Sequence, residues 1–257
     1  MLLACVTGKA QEWLVAHGTD EADEASVARF AALTERRALG EPIAYLTGVR
    51  EFFSRPFRVT PAVLIPRPET ELLLEVVLAA IAGIRAPRLL DLGTGSGILA
   101  VSLALERPDA VVVATDISEA ALEVARANAA ALGASRIEFR AGAWWQALDP
   151  DERGFDAIAS NPPYIAAADP HLLQGDLRFE PLHALSAGPL GDDDIRQLIS
   201  GAPDRLRHNG WLALEHGFEQ AAHCRRLMQQ RGLAGIRTHA DLEHRDRVTV
   251  GRHIRAR

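Results

Sequence analysis

The chain has 257 residues, is 48% hydrophobic and 24% charged, and carries a formal net charge of −6. This is ordinary for a water-soluble globular protein and counts against a stand-alone duplex-DNA binder, which needs a basic face. Cys5 and Cys224 stand far apart without disulfide or zinc spacing, the start lacks the charged flank of a signal peptide, and Arg, Asp or Gly interrupts every long apolar run, so a cytoplasmic protein without membrane spans is expected.

Residues 2–17 and 23–39 have helical apolar spacing, with Trp13, Leu14, Val27, Phe30 and Leu33 as the predicted inward residues. Gly40 and Pro42 stop the second helix. Residues 1–42 thus form a small N-terminal helical domain, and residues 43–66, where aromatic and β-branched residues alternate with turn formers, a hairpin or linker. Pro66-Arg-Pro-Glu-Thr-Glu opens a helix to about residue 82, with Glu69 and Thr70 serving its start. Arg67 and Glu69 are also candidates to line a cleft.

From Arg88 onward, strands and helices alternate. Strands are predicted at 88–92, 110–115, 136–140, 155–160, 211–215 and 247–251. Helices are predicted at 98–106, at 118–132 with Ser118 as N-cap, at 192–207 with a break at Gly201 and Pro203, and at 218–230. Such alternation specifies a mostly parallel α/β sheet with helices on both faces. The Arg-rich tail, residues 245–257, reads as a solvated end strand.

Asp91-Leu-Gly-Thr-Gly-Ser-Gly follows the first of these strands and opens a helix. Gly93, Gly95 and Gly97, with Thr94 and Ser96 between them, let the backbone turn sharply and approach a ligand. Asp116, at the end of the next strand, can accept both hydroxyl hydrogens of a ribose. A dinucleotide satisfies this pattern too, since Gly95-Ser-Gly-Ile-Leu-Ala fits G-x-G-x-x-A. Asp91 shifts the balance, because an acid beside the loop suits a cationic sulfonium and repels a pyrophosphate. Trp144 is predicted to cover an adenine face, and its neighbour Trp145 to enter the core.

The most specific signal is Ser160-Asn-Pro-Pro-Tyr-Ile, directly after a strand. Two prolines fix the backbone and remove two donors, which leaves the carbonyls of Asn161 and Pro162 free. The Asn161 side-chain oxygen adds an acceptor. Such a cluster suits a planar NH2 group, with Tyr164 lying against it and excluding water.

Asn161-Pro-Pro-Tyr after such a glycine loop resembles enzymes that methylate amide or exocyclic amino nitrogens. Gly40-Glu-Pro-Ile-Ala-Tyr-Leu-Thr-Gly, Leu64-Ile-Pro-Arg-Pro-Glu-Thr-Glu, Gln174-Gly-Asp-Leu-Arg-Phe-Glu-Pro and Leu214-Glu-His-Gly extend the likeness over nearly the whole chain, in order and spacing. Together they resemble the release factor glutamine methyltransferases (the HemK/PrmC family). The resemblance implies a Rossmann-like class I methyltransferase sheet with an antiparallel last strand. It implies catalysis by residues 67–257 and docking of class 1 peptide chain release factors by residues 1–42. The methyl would pass from S-adenosylmethionine to N5 of the glutamine in Gly-Gly-Gln, leaving S-adenosylhomocysteine. Gly93 to Gly97, Asp116, Trp144 and Asn161 would hold the cofactor, and Asn161, Pro162, Pro163 and Tyr164 would shape the glutamine pocket. Asn161, Pro162 and Tyr164 would carry the catalytic role. A monomer with no metal and no direct nucleic-acid substrate is expected.

Two departures stand out. Ala143 occupies the position before the tryptophan where the family places an acid, which leaves a backbone carbonyl to meet the adenine amino group. The chain also begins later than members of the family, so part of the first helices is expected to be missing and the N-terminal domain truncated. The residues between the Asn-Pro-Pro-Tyr motif and Asp192, including Asp176, Arg178 and Glu180, form a long loop suited to closing over substrate. Three alternatives stand beside this reading: an adenine-N6 nucleic-acid methyltransferase, a glutamine methyltransferase acting on a ribosomal protein, and a non-catalytic cofactor-binding partner of the translation machinery.

Overall fold

The computed structural model describes residues 1–134 and 136–254; the final three residues of the predicted Arg-rich tail lie outside the described residues. The predicted helix over 2–17 is two short helices, α1 (Leu2–Thr7) and α2 (Gln11–Ala16). Gly8 separates them, ending α1 in a left-handed conformation. α3 (Glu24–Ala38) is capped by Asp23, whose side chain accepts from the Ser26 N–H at 2.9 Å. Trp13, Val27 and Phe30 are exposed rather than inward; only Leu14 and Leu33 of that predicted set are half-buried. These short helices have little to pack against beyond one another. Residues 43–66 begin with a turn of helix, α4 (Ile43–Thr47), before the hairpin β1 (Val49–Phe52) and β2 (Arg55–Arg58).

The next elements are α5 (Glu69–Ile81), β3 (Arg88–Leu92), α6 (Ile98–Glu106), β4 (Val111–Asp116), α7 (Glu119–Leu132), β5 (Ile137–Ala141) and β6 (Phe155–Ser160). α8 (Asp193–Arg205), β7 (Leu206–Glu215), α9 (Ala221–Gln230), β8 (Leu233–Ala240) and β9 (Asp246–His253) complete the described chain. The seven-stranded sheet has the order β5-β4-β3-β6-β7-β9-β8. β3 to β7 run parallel to one another, and β9 runs antiparallel to both β7 and β8.

Alternate strand residues feed two cores. Leu89, Val112 and Ala157 face α5 and α6; Leu90, Val113 and Ile158 face α8 and α9. This is the pattern of a sheet covered on both sides. Phe52 and Phe57 of the hairpin enter the first core edge to face, ring centroids 6.1 Å apart. Asn128 ties the hairpin to the glycine loop, donating to the carbonyls of Arg58 and Ser96 at 2.9 and 2.8 Å.

One further prediction is corrected, and one strand was missed. α8 is unbroken: Gly201 is there for close approach, since a Cβ would lie 2.4 Å from the Trp145 indole nitrogen, and Pro203 falls in the last turn. α5 starts at Glu69 as expected, with Glu69 in its first turn, Pro68 as the residue before it and no side-chain cap. β8 went unpredicted. It is an edge strand with mixed faces, and its register slips between Ala234 and Arg237 around Gly235. Among the described residues, no helix is long and apolar enough to cross a membrane.

Candidate active site

The carboxyl ends of β3, β4 and β6 open on one edge of the sheet, where ligands of open α/β sheets bind. The N–H groups of Gly93 and Thr94 donate to the Thr115 carbonyl at 2.9 and 2.8 Å, so β4 holds the loop that follows β3. Asp116 steadies the same loop: its two carboxylate oxygens accept from the N–H groups of Gly95 and Ser118, each at 2.9 Å. Each oxygen keeps a lone pair for a ligand hydroxyl. Asp91 is buried beneath the loop and accepts from the Thr94 hydroxyl at 2.7 Å and the Ala100 N–H at 3.2 Å. Burial pushes its carboxyl up to about 7, against the pull of those two hydrogen bonds, and neighbouring Asp116 adds to the rise.

A cavity of about 210 Å³ lies over this loop. Of the predicted cofactor residues, Gly93, Thr94, Gly95, Ser96, Asp116, Trp144 and Asn161 line it, whereas Gly97 stands behind it as the N-cap of α6. The cavity wall is acidic, with Asp91, Asp116 and Asp194 all on it. Trp144 has a left-handed backbone, φ 48°, and presents its ring edge to Gly93. Its indole N–H donates to Asp194 at 2.8 Å. Burial raises the Asp194 carboxyl, and that bond partly offsets the rise. The Ala143 carbonyl accepts from the Gln146 N–H at 2.9 Å, and Asp194 is the carboxylate bonded to the tryptophan. Trp145 is only partly buried; it packs against α8 and donates to the Gln197 carbonyl at 3.0 Å.

A second cavity of about 60 Å³ adjoins the first. Pro162 and Tyr164 line it, and Asn161, Pro163, Leu64 and Arg67 line both. Asn161 therefore stands at the junction. Its side-chain nitrogen donates to the Thr70 hydroxyl oxygen at 3.0 Å, which leaves the amide oxygen as the end free for a ligand. Behind Thr70 lies Glu215, at the end of β7 and fully buried. Burial lifts its carboxyl to about 7; the Thr70 and Tyr164 hydroxyls face it and oppose the shift, although neither closes a hydrogen bond of full geometry.

The predicted closing loop is already fastened. The buried Glu180 carboxylate pairs with Arg67 and accepts from the Ile65 N–H at 2.9 Å. Arg178 donates to the Leu39 carbonyl, and Asp176 pairs with Arg37 at 3.2 Å. Arg67 thus lines the cleft, but Glu69 turns toward Arg247, 3.7 Å away. Thr70, Glu215 and Asp194 were not predicted from sequence as site residues. Glu215 appeared only inside the motif Leu214-Glu-His-Gly.

Residues 68–174 match the family model of the methyltransferase small domain, and residues 1–48 that of the PrmC N-terminal domain. The chain is 51% identical over 255 residues to the release factor glutamine methyltransferase of Neisseria gonorrhoeae, covering 99% of this chain and 92% of the relative. It is 49% identical over 251 residues to that of Bordetella pertussis, covering 98% and 92%. Among solved structures, a methyltransferase from Pyrococcus furiosus shares the fold with a TM-score of 0.59 at 17% identity, over 88% of this chain and 100% of the other. With such relatives over nearly its whole length, the chain belongs to the release factor glutamine methyltransferase family.

Proposed function

We propose that the chain transfers a methyl group from S-adenosylmethionine to the side-chain amide N5 of the glutamine in the Gly-Gly-Gln motif of class 1 peptide chain release factors. The observation that carries this reading is Asn161 at the junction of a large acidic cavity and a small one walled by Pro162, Pro163 and Tyr164.

The larger cavity fits the cofactor by its chemistry. Carboxylates on its wall suit a cation, and Asp116 keeps lone pairs for two ribose hydroxyls. Gly93, Thr94, Gly95 and Ser96 would hold the cofactor from below, with Gly97 shaping the helix start behind them. Trp144 would flank the adenine, and Asp194 would supply the acceptor that Ala143 lacks. When bound, S-adenosylmethionine supplies an electrophilic methyl group on a sulfonium and is left as S-adenosylhomocysteine.

An amide nitrogen is a poor nucleophile because its lone pair is delocalised into the carbonyl. The Asn161 side-chain oxygen and the Pro162 carbonyl would accept its two hydrogens and hold its face toward the methyl. Positive charge growing on the nitrogen is then met by oriented acceptors that need no reorganisation. Orientation alone contributes about 7–11 kcal/mol in well-aligned systems. Tyr164 would lie against the amide plane and exclude water; the proton leaves to solvent afterwards.

Residues 1–42 are assigned to docking of the release factor, residues 43–66 to the connection, and residues 67–257 to catalysis. The bonds from Arg178 and Asp176 to Leu39 and Arg37 support that division of labour, since they tie the substrate-side loop to the N-terminal segment.

The test is mass spectrometry of release factors after incubation with the protein and cofactor. One methyl on the Gly-Gly-Gln glutamine is expected, absent with Asn161→Ala although that variant still binds cofactor. Methyl appearing instead on adenine of DNA or tRNA, or on a ribosomal protein, would overturn the assignment.

A further inference from the structure

Glu215 is a charge-bearing group that the mechanism above leaves unused. It ends β7, beside β6, and its side chain is fully buried with neither oxygen in a hydrogen bond of full geometry. Burying a carboxylate this way is costly unless it is retained for another reason. Four groups from three neighbouring elements act on it, two by their hydroxyls and two by their charge. Thr70 and Glu69 come from α5, Tyr164 from the loop after β6, and Arg247 from β9. Arg247 is the cation among them and Glu69 a like charge.

The order of donors along this chain of groups matters. A carboxylate can only accept, so a hydroxyl facing it turns its single proton toward it. The Thr70 oxygen then offers only lone pairs to its other neighbour. Asn161 meets those lone pairs with its NH2 end, at 3.0 Å. The Asn161 oxygen is thereby committed to the cavities, where the substrate amide needs an acceptor.

We infer that Glu215 is a positioning residue, which acts through the Thr70 hydroxyl to fix the oxygen of the Asn161 amide toward the substrate. This rests on the functional reading above. A neutral group at 215 that can itself donate to Thr70 reverses the chain. Thr70 then donates to the Asn161 oxygen, the amide turns over, and its NH2 meets the NH2 of the substrate, donor against donor. The ionised form of Glu215 is the one that holds the productive arrangement. With its carboxyl raised to about 7 by burial, turnover falls as the pH drops through that region.

The experiment compares the full chain with Glu215→Gln, Thr70→Val and Thr70→Ser. Calorimetry reads cofactor binding, single-turnover methylation of a release factor is followed from about pH 5 to about pH 9, and NMR follows the Asn161 side-chain amide without substrate. Glu215→Gln and Thr70→Val are expected to keep cofactor affinity within about threefold and lose on the order of 100-fold in rate, as for removal of one oriented transition-state contact. Thr70→Ser keeps most of the rate, because the hydroxyl remains. The acid limb of the wild-type pH profile disappears in Glu215→Gln. Wild-type turnover in Glu215→Gln, or a lowered rate with the acid limb intact, overturns the inference. If wild type methylates no release factor, the functional reading fails instead, and the NMR arm still decides the positioning role. One Asn161 amide proton protected in wild type and released in Glu215→Gln supports it; unchanged resonances refute it.

Discussion

Replacing Gly191 by alanine tests how the substrate side of the site is held. Gly191 has a left-handed backbone, φ +71°, and a Cβ there would lie 2.5 Å from the Tyr164 carbonyl oxygen, 2.8 Å from the Ala166 nitrogen and 2.9 Å from the Ile165 carbonyl carbon. All three are backbone atoms, so no side chain can swing away. The two segments are also stitched together by Gln220, whose amide nitrogen donates to the carbonyls of Gly191 and Tyr164 at 2.9 and 3.1 Å. The left-handed conformation costs alanine about 1–2 kcal/mol, and crowding a packed site adds about 1–3 kcal/mol. A loss of about 2–5 kcal/mol follows, which for a chain of this size lowers Tm on the order of 10 °C. The strain falls on the exit of the Asn161–Tyr164 turn and not on the glycine loop after β3. Turnover should therefore drop while cofactor affinity stays close to wild type. Thermal denaturation, cofactor titration and single-turnover rates measure the three quantities. A Tm change below about 2 °C, or affinity and rate falling together, would refute this reasoning.

Three further outcomes follow from the geometry. Because the folded Glu215 carboxyl is raised from 4.5 to about 7, its contribution to stability is full below the unfolded value and is lost as pH rises through about 7. Glu215→Gln should gain on wild type by up to about 3 kcal/mol between pH 5 and pH 8, and a pH-independent difference in denaturation free energy would refute this. Asp116→Ala removes the proposed ribose acceptor and the anchor of the Gly95 and Ser118 N–H groups. Cofactor affinity should fall by about 10- to 100-fold in calorimetry, and an unchanged Kd rules out the assigned role. Glu180→Gln keeps an acceptor for the Ile65 N–H but breaks the pair with Arg67, which is 29% exposed in its side chain. It should cost about 1–3 kcal/mol in denaturant unfolding and raise KM for the release factor more than Kd for the cofactor; the opposite ranking would remove the loop from substrate binding.

Local chemistry made much of this fold legible. Val-rich runs, the glycines after Asp91 and the Ser118 cap each announce their element from a few adjacent residues. The double proline fixes its own backbone, so Asn161 was readable as a site residue. What stayed hidden depends on distant partners. Thr70 looks like a helix starter, yet it meets Asn161 across 91 residues of sequence. Glu215 reads as the polar end of a strand until burial by α5 and β9 is known. Asp194, proposed to replace the acid missing at Ala143, comes from the start of α8 and reaches Trp144 only through the fold. β8 was missed because its alternation is blurred by a bulge at an exposed edge, and α2 was merged with α1 because Gly8 is one residue in an otherwise helical pattern.

The turn carrying Asn161 and the loop carrying the glycines leave neighbouring strands, β6 and β3, paired in register from Leu89–Ala157 to Asp91–Ala159. Neighbouring strands sit about 4.8 Å apart, so the proposed cofactor loop and substrate turn are gauged against each other by a single ladder of amide bonds rather than by two bodies that must find alignment. Heating should leave the intrinsic rate on its ordinary Arrhenius course until the ladder itself gives way, and then abolish activity in step with cooperative melting.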